Sequence, residues 1–167
     1  MRSRAALLVV VLSFATLASF AQDRGPSTPE ERAHALQLIR SLENDPLGPG
    51  AKDARQWLTI WLTTIPDITV ALCGEFTKPL LGQKKNYASE IFIQSMYSSA
   101  AAVIEHPELN GDAEAKYLAG VEGSLRAYES IRRSKPKVSW PMLDALIAKR
   151  DAGQLAAFVR EKALACK

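Results

Sequence analysis

Apolar residues along this chain recur at the three- and four-residue spacing of amphipathic helices, and no segment shows the alternation of a half-buried strand. Thr28-Pro29-Glu30-Glu31 combines a hydroxyl N-cap, a proline at the first helical position and a glutamate at the third that closes a capping box. It predicts a helix to about Leu42, with Ala35, Leu38, Ile39 and Leu42 on one face. The turn-forming run NDPLGPG, residues 44 to 50, follows. A second helix is expected from Ala51, with Ala54, Trp57, Leu58, Trp61 and Ile65 as a broad apolar stripe. Pro66 interrupts it, because proline lacks the backbone donor and pushes the preceding residue out of helical space. Thr64 can then cap a restarted helix with Asp67 beside its positive end, giving two helical pieces or one kinked helix.

Beyond a polar connection at residues 77 to 86, the pattern predicts long helices from about Tyr87 to Glu105 and from about Ala113 to Arg133, the second capped by Asp112. The link HPELNGD is short enough to make them antiparallel neighbours. Small residues explain how they touch: Ser95, Ser98, Ser99 and Ala102 form a strip on the first, and Gly120, Gly123, Ser124 and Ala127 form one on the second. Glycine inside a helix costs about 1 kcal/mol against alanine, so two of them one turn apart point to close approach of another backbone. Leu118, Val121 and Leu125 lie on another side, as expected of a central helix buried on two faces. Ser139-Trp140-Pro141 opens a shorter helix carrying Leu143, Leu146 and Ile147. A last helix carries Leu155, Phe158, Val159 and Cys166 on one side.

These elements add up to an all-α, single compact domain of six or seven helices at residues 28 to 167, packed as antiparallel helical hairpins. Residues 22 to 27 are expected to be a flexible N-terminus. Ahead of them, Arg2 and Arg4 precede an uncharged run from Ala5 to Ala21 ending Ser19-Phe20-Ala21, the pattern of a cleavable signal peptide cut after Ala21. The expected mature chain of 146 residues is exported, to a periplasm or the extracellular space. That compartment bears on Cys73 and Cys166, which as an even pair are expected to form one disulfide.

Loss of Arg2 and Arg4 with the leader takes the 21 basic residues to 19 against 18 acids, a balance of +1. Near-neutral charge without a basic block argues against nucleic acid as a partner. The stretch WLTIWLTTIPDITVALCG, residues 57 to 74, raises the question of a membrane. It holds Pro66, Asp67 and several threonines where a span of about 20 apolar residues would be needed, so no transmembrane span is expected in the mature chain. Nor does the face opposite Trp57 and Trp61 carry the basic residues of an interfacial helix. A core helix is the simpler reading. A small-molecule pocket would draw on Trp57, Trp61, Thr64 and Asp67.

Catalytic signatures are sparse. Only His34 and His106 are present, which excludes a metal site of several histidines, and there is no HExxH, GxSxG or P-loop pattern. No metal or cofactor is expected. A hydrolase would have to use His106 with Glu105 or Glu108. Residues 123 to 136, GSLRAYESIRRSKP, resemble the second helix and closing proline of a tetratricopeptide repeat, with Tyr128 and Ile131 at its aromatic and small positions. The preceding helix lacks the matching residues and no period of about 34 residues recurs, so membership does not follow. The function expected is non-catalytic binding of a protein partner, with a carrier of a small hydrophobic ligand or lipid at the Trp57/Trp61 region, or the hydrolase, as alternatives.

Overall fold

The computed structural model describes residues 24–166, so the expected leader lies outside the described residues. Among the described residues there is no strand. The helices are α1 (Pro29–Asn44), α2 (Ala51–Thr64), α3 (Gly74–Thr77), α4 (Ala88–Glu105), α5 (Ala113–Ser134), α6 (Pro141–Asp151) and α7 (Leu155–Ala163), with a 3-10 turn at Pro107–Gly111 between α4 and α5. None is long and apolar enough to cross a membrane.

The helix starts follow the sequence chemistry. Thr28 and Glu31 form the reciprocal capping box, and the Asp112 carboxylate accepts from the Ala115 amide at 3.0 Å. The start of α4 is less ordinary. Asn86 and Tyr87 both adopt left-handed backbone, with φ of 53° and 57°, a conformation unfavourable for residues with a side chain. The Trp140 indole N–H secures this bend by donating to the Asn86 carbonyl at 2.9 Å.

One expectation needs correction: α2 ends at Thr64, and no helix restarts at Asp67. Ile65 takes extended backbone, as a residue before proline prefers, and residues 65 to 73 continue without helix. The Asp67 carboxylate, rather than facing a new helix, accepts from the Ser27 amide at 2.8 Å, the Ser27 hydroxyl at 2.7 Å and Arg32 at 2.8 Å. Burial works against its ionisation, but these donors prevail and hold its carboxyl below the usual aspartate range. Two further side chains stand in for the missing helical bonds. Asn110 donates to the Asp67 carbonyl at 3.1 Å, and the buried Lys116 amine donates to the Thr69 hydroxyl at 3.0 Å and the Asn110 carbonyl at 2.6 Å.

Two apolar clusters make the core. In the first, Leu42, Leu58, Trp61 and Ile68 pack against Tyr97 and Ala101 of α4. In the second, Ile91 of α4 packs with Leu125, Tyr128 and Ile131 of α5, and with Leu146 and Val159 from the last two helices. Helix α5 buries residues around most of its circumference, as the two-faced pattern anticipates.

The α4–α5 seam runs through the small residues. A Cβ on Gly120 would fall 2.8 Å from the Ser95 carbonyl oxygen, and one on Gly123 would overlap the Ser98 hydroxyl. Ser124 donates across the seam to the Ile91 carbonyl at 3.0 Å. Because Gly120 meets backbone rather than a side chain that can swing away, Gly120→Ala should part the helices. We expect a net destabilisation of about 1 to 2 kcal/mol despite the alanine's better helix propensity. Urea denaturation checks this, and a raised midpoint would show that the seam has slack.

Candidate functional site

An apolar recess open to the surface lies where α3, α6 and α7 meet. Helix α6 is set on α5 by a relay: the Trp140 amide donates to the Tyr128 hydroxyl at 2.9 Å, and that hydroxyl donates to Asp144 at 2.9 Å. Arg132 also donates to Asp144, at 2.7 Å, and the other end of α6 is tied by two 2.8 Å bonds from Arg150 to Glu129. Helix α7 buries Leu155 and Val159, and Arg160 pairs with Glu114 at the start of α5. Helix α3 is fastened from below. Its preceding residue Cys73 stands opposite Cys166 at disulfide distance, with Cα atoms 5.3 Å apart, and the Thr77 hydroxyl donates to the Cys73 carbonyl at 3.0 Å.

Between these anchored elements is an apolar crevice of about 140 Å³. Phe76, Met142, Ala145, Leu146 and Phe158 wall it, and Glu75, Lys149 and Lys162 stand at its rim. Phe158 meets Phe76 edge-on, with ring centroids 6.4 Å apart. The Lys149 amine sits over the Phe158 ring at 4.5 Å and that of Lys162 at 5.7 Å, within cation–π range. A second, inner crevice of about 20 Å³, room for about one water molecule, lies toward the α4–α5 seam. It shares Phe76 and Leu146 with the outer one and reaches Gly120 and Ser124. Leu72 and Leu164, 41% and 69% exposed, immediately precede or nearly precede the two cysteines.

The residues singled out by sequence are placed differently. Trp57 and Trp61 come together, stacked at 5.5 Å, with His34 edge-on to Trp57 at 4.6 Å. Trp61 belongs to the first core cluster and is buried, and its indole N–H makes no hydrogen bond of good geometry among the described residues. Thr64 accepts from Arg24 and donates to the Trp61 carbonyl at 3.0 Å, while Asp67 holds the segment before α1. Gly120, Gly123 and Ser124 lie on the α4–α5 seam as expected. His106 is 63% exposed and stands 3.4 Å from the equally open Glu108, whereas Glu105 is held at 2.7 Å by Arg40. Among the described residues, no three or more His, Cys, Asp or Glu side chains are grouped to hold a metal ion.

The crevice was not legible in the sequence. Phe158 and Lys162 are one helical turn apart and could have been paired by spacing, but Lys149 and Phe76 reach them only through the fold. Comparison with known protein families, curated proteins and solved structures gives no match to this chain.

Proposed function

We propose that this chain is an exported helical domain that acts by binding, and that it receives an apolar group in the crevice between α3, α6 and α7. The leader pattern at residues 1 to 21 supports export, and so does the Cys73–Cys166 pair, since such bridges persist in oxidising compartments. One observation carries the binding reading: an apolar-walled recess stays open to the surface while every helix around it is fastened from behind by buried or charged contacts. A pre-formed apolar recess with a few polar groups at its mouth is the usual form of a small-ligand site.

The test is titration with N-phenyl-1-naphthylamine, an uncharged dye that brightens in apolar surroundings. Saturable binding at one site per chain is expected, together with its loss in Ala145→Trp, which fills the recess from an exposed position. Absence of saturable binding, or unchanged binding in Ala145→Trp, would overturn the assignment. A protein partner is the second reading, favoured by exposed Leu72 and Leu164 beside the cysteine pair. It predicts that Leu164→Asp, rather than Ala145→Trp, abolishes association.

A further inference from the structure

The fold assembles at one end of the molecule a basic surface that the near-neutral balance of the chain conceals. Lys84 and Lys85 lie in the connection before α4, and Arg132, Arg133, Lys135 and Lys137 lie at and just beyond the end of α5. The Asn86 side chain donates to the Ser139 carbonyl at 3.3 Å and the Trp140 indole donates to the Asn86 carbonyl at 2.9 Å, which sets the two runs side by side. All six cations are exposed, and among the described residues only Arg132 of the six forms an ion pair, with Asp144. The acids nearby do not cancel this charge. From Lys84 to Glu90, from Glu129 to Lys137 and along α6, the cations are these six with Lys149 and Arg150, and the acids are Glu90, Glu129, Asp144 and Asp151; eight against four leaves +4. The neighbouring turn and the start of α2 add Asp45 and Asp53 against Lys52 and Arg55, which changes nothing. Since residues 22 to 167 carry +1 in all, the rest of the molecule is negative, and the positive charge is concentrated at this end.

These cations stand in solvent rather than around a withdrawn polar group, an arrangement suited to a diffuse plane of negative charge and not to one seated anion. Each run is followed by a half-buried aromatic, Tyr87 or Trp140, and Leu81, 50% exposed, precedes the first. Amphipathic rings and an apolar side chain among lysines suit the headgroup level of a bilayer. Resting on the export and binding function proposed above, which takes the chain away from intracellular nucleic acid, we infer that this end docks the protein on a membrane surface rich in anionic phospholipid. Met142, two residues past Trp140, belongs to the crevice wall, so docking holds the apolar recess beside the bilayer.

Co-sedimentation of the oxidised protein with vesicles of phosphatidylglycerol mixed with phosphatidylcholine, and of phosphatidylcholine alone, tests this. Binding is expected on the anionic vesicles and not on the neutral ones, and molar salt should release it. A lysine beside such a surface contributes about fivefold to partitioning, so Lys85→Gln with Lys137→Gln, one from each run, should weaken binding about twenty-fivefold. Lys84→Gln with Lys135→Gln is the second variant and should do the same. Arg24→Gln with Arg160→Gln removes as much charge from elsewhere on the molecule, where these arginines pair with Glu31 and Glu114, and should leave vesicle binding unchanged. Equal binding to both vesicle compositions, or an equal loss in the variant of Arg24 and Arg160, would overturn the inference. So would duplex DNA held more tightly than the vesicles through the same lysines, a result that would count against export as well. If the anionic vesicles fail to bind while N-phenyl-1-naphthylamine still does, the docking surface falls and the crevice stands. Vesicle binding through the lysines without dye binding leaves the surface and removes the crevice.

Discussion

Cys73→Ala combined with Cys166→Ala is expected to lower the free energy of unfolding by about 2 to 5 kcal/mol. The cysteines are 93 residues apart in sequence, so a bond between them removes a large share of the unfolded chain's freedom, worth between about 4 and 5 kcal/mol on chain-entropy grounds alone. The folded side contributes too. Cys73 belongs to the second core cluster, and Cys166 follows directly on α7, whose buried contacts are few. Guanidinium unfolding with and without dithiothreitol checks the expectation. The reductant should shift the parent midpoint down to that of the double variant and leave the variant where it is. A parent indifferent to reductant would mean that the two thiols are not joined.

Glu43→Ala comes next, at about 3 kcal/mol. Glu43 sits on the last turn of α1, only 4% exposed. Its carboxylate accepts from Arg126 at 2.8 and 2.9 Å, from Ser98 at 2.7 Å and from Arg40 at 3.1 Å. One side chain thereby joins α1, α4 and α5. Removing one member of such a cluster strands the others, a loss of about 3 to 5 kcal/mol in fully buried cases. Both arginines are about 40% exposed and recover water, which places the expectation at the low end. Gly123 belongs to the same arrangement, because a Cβ there would displace the Ser98 hydroxyl and approach the Glu43 carboxylate to 3.0 Å.

The same carboxylate ties stability to acid. Burial opposes its ionisation, but the bonds from Arg126 and Ser98 and the nearby guanidinium charges hold its carboxyl below the usual glutamate range. In the unfolded chain a glutamate titrates near about 4.3. Stability from Glu43 is therefore complete above that value and is lost as pH falls through the lower, folded value. Glu43→Gln should flatten the fall in stability below about pH 4 and leave the slope between pH 5 and 8 unchanged, as followed by urea midpoints across pH.

What the sequence could and could not disclose follows from the range of each interaction. Helix starts at Thr28 and Asp112 depend on residues three apart, so their chemistry reads directly from the string. The strip of Ser95 and Ser98 against Gly120 and Gly123 was legible because a seven-residue link leaves two long helices little choice but to pair. The failed restart at Asp67 came from the opposite situation. Local rules favoured a restart capped by Thr64 with Asp67 beside its positive end, but the Asp67 carboxylate is bound by Ser27, 40 residues away. Glu43 and Arg126 are 83 residues apart, and each looks like an ordinary helix-surface charge until the fold joins them. Trp57 and Trp61, one turn apart, stack on each other and pack into the first core cluster, as the core-helix reading expects. The crevice combines residues from three separate helices, so no periodicity could mark it.

Joining Cys73 to Cys166 would also divide the molecule topologically. Helices α3 to α7 would then lie inside a covalent ring, with α1 and α2 as a linear arm outside it. The ring contains nearly all of the second core cluster. The arm completes the first cluster only by laying itself on α4. With that bond in place, a single backbone cut within the ring, as at the exposed Gly82 to Lys85 bend, would leave one covalent molecule whose crevice helices remain tethered. A cut at the Asn44 to Gly50 turn instead makes α1 a separate peptide, held by its packing, by Glu43, by the bonds of Ser27 and Arg32 to Asp67 and by the Arg40–Glu105 pair.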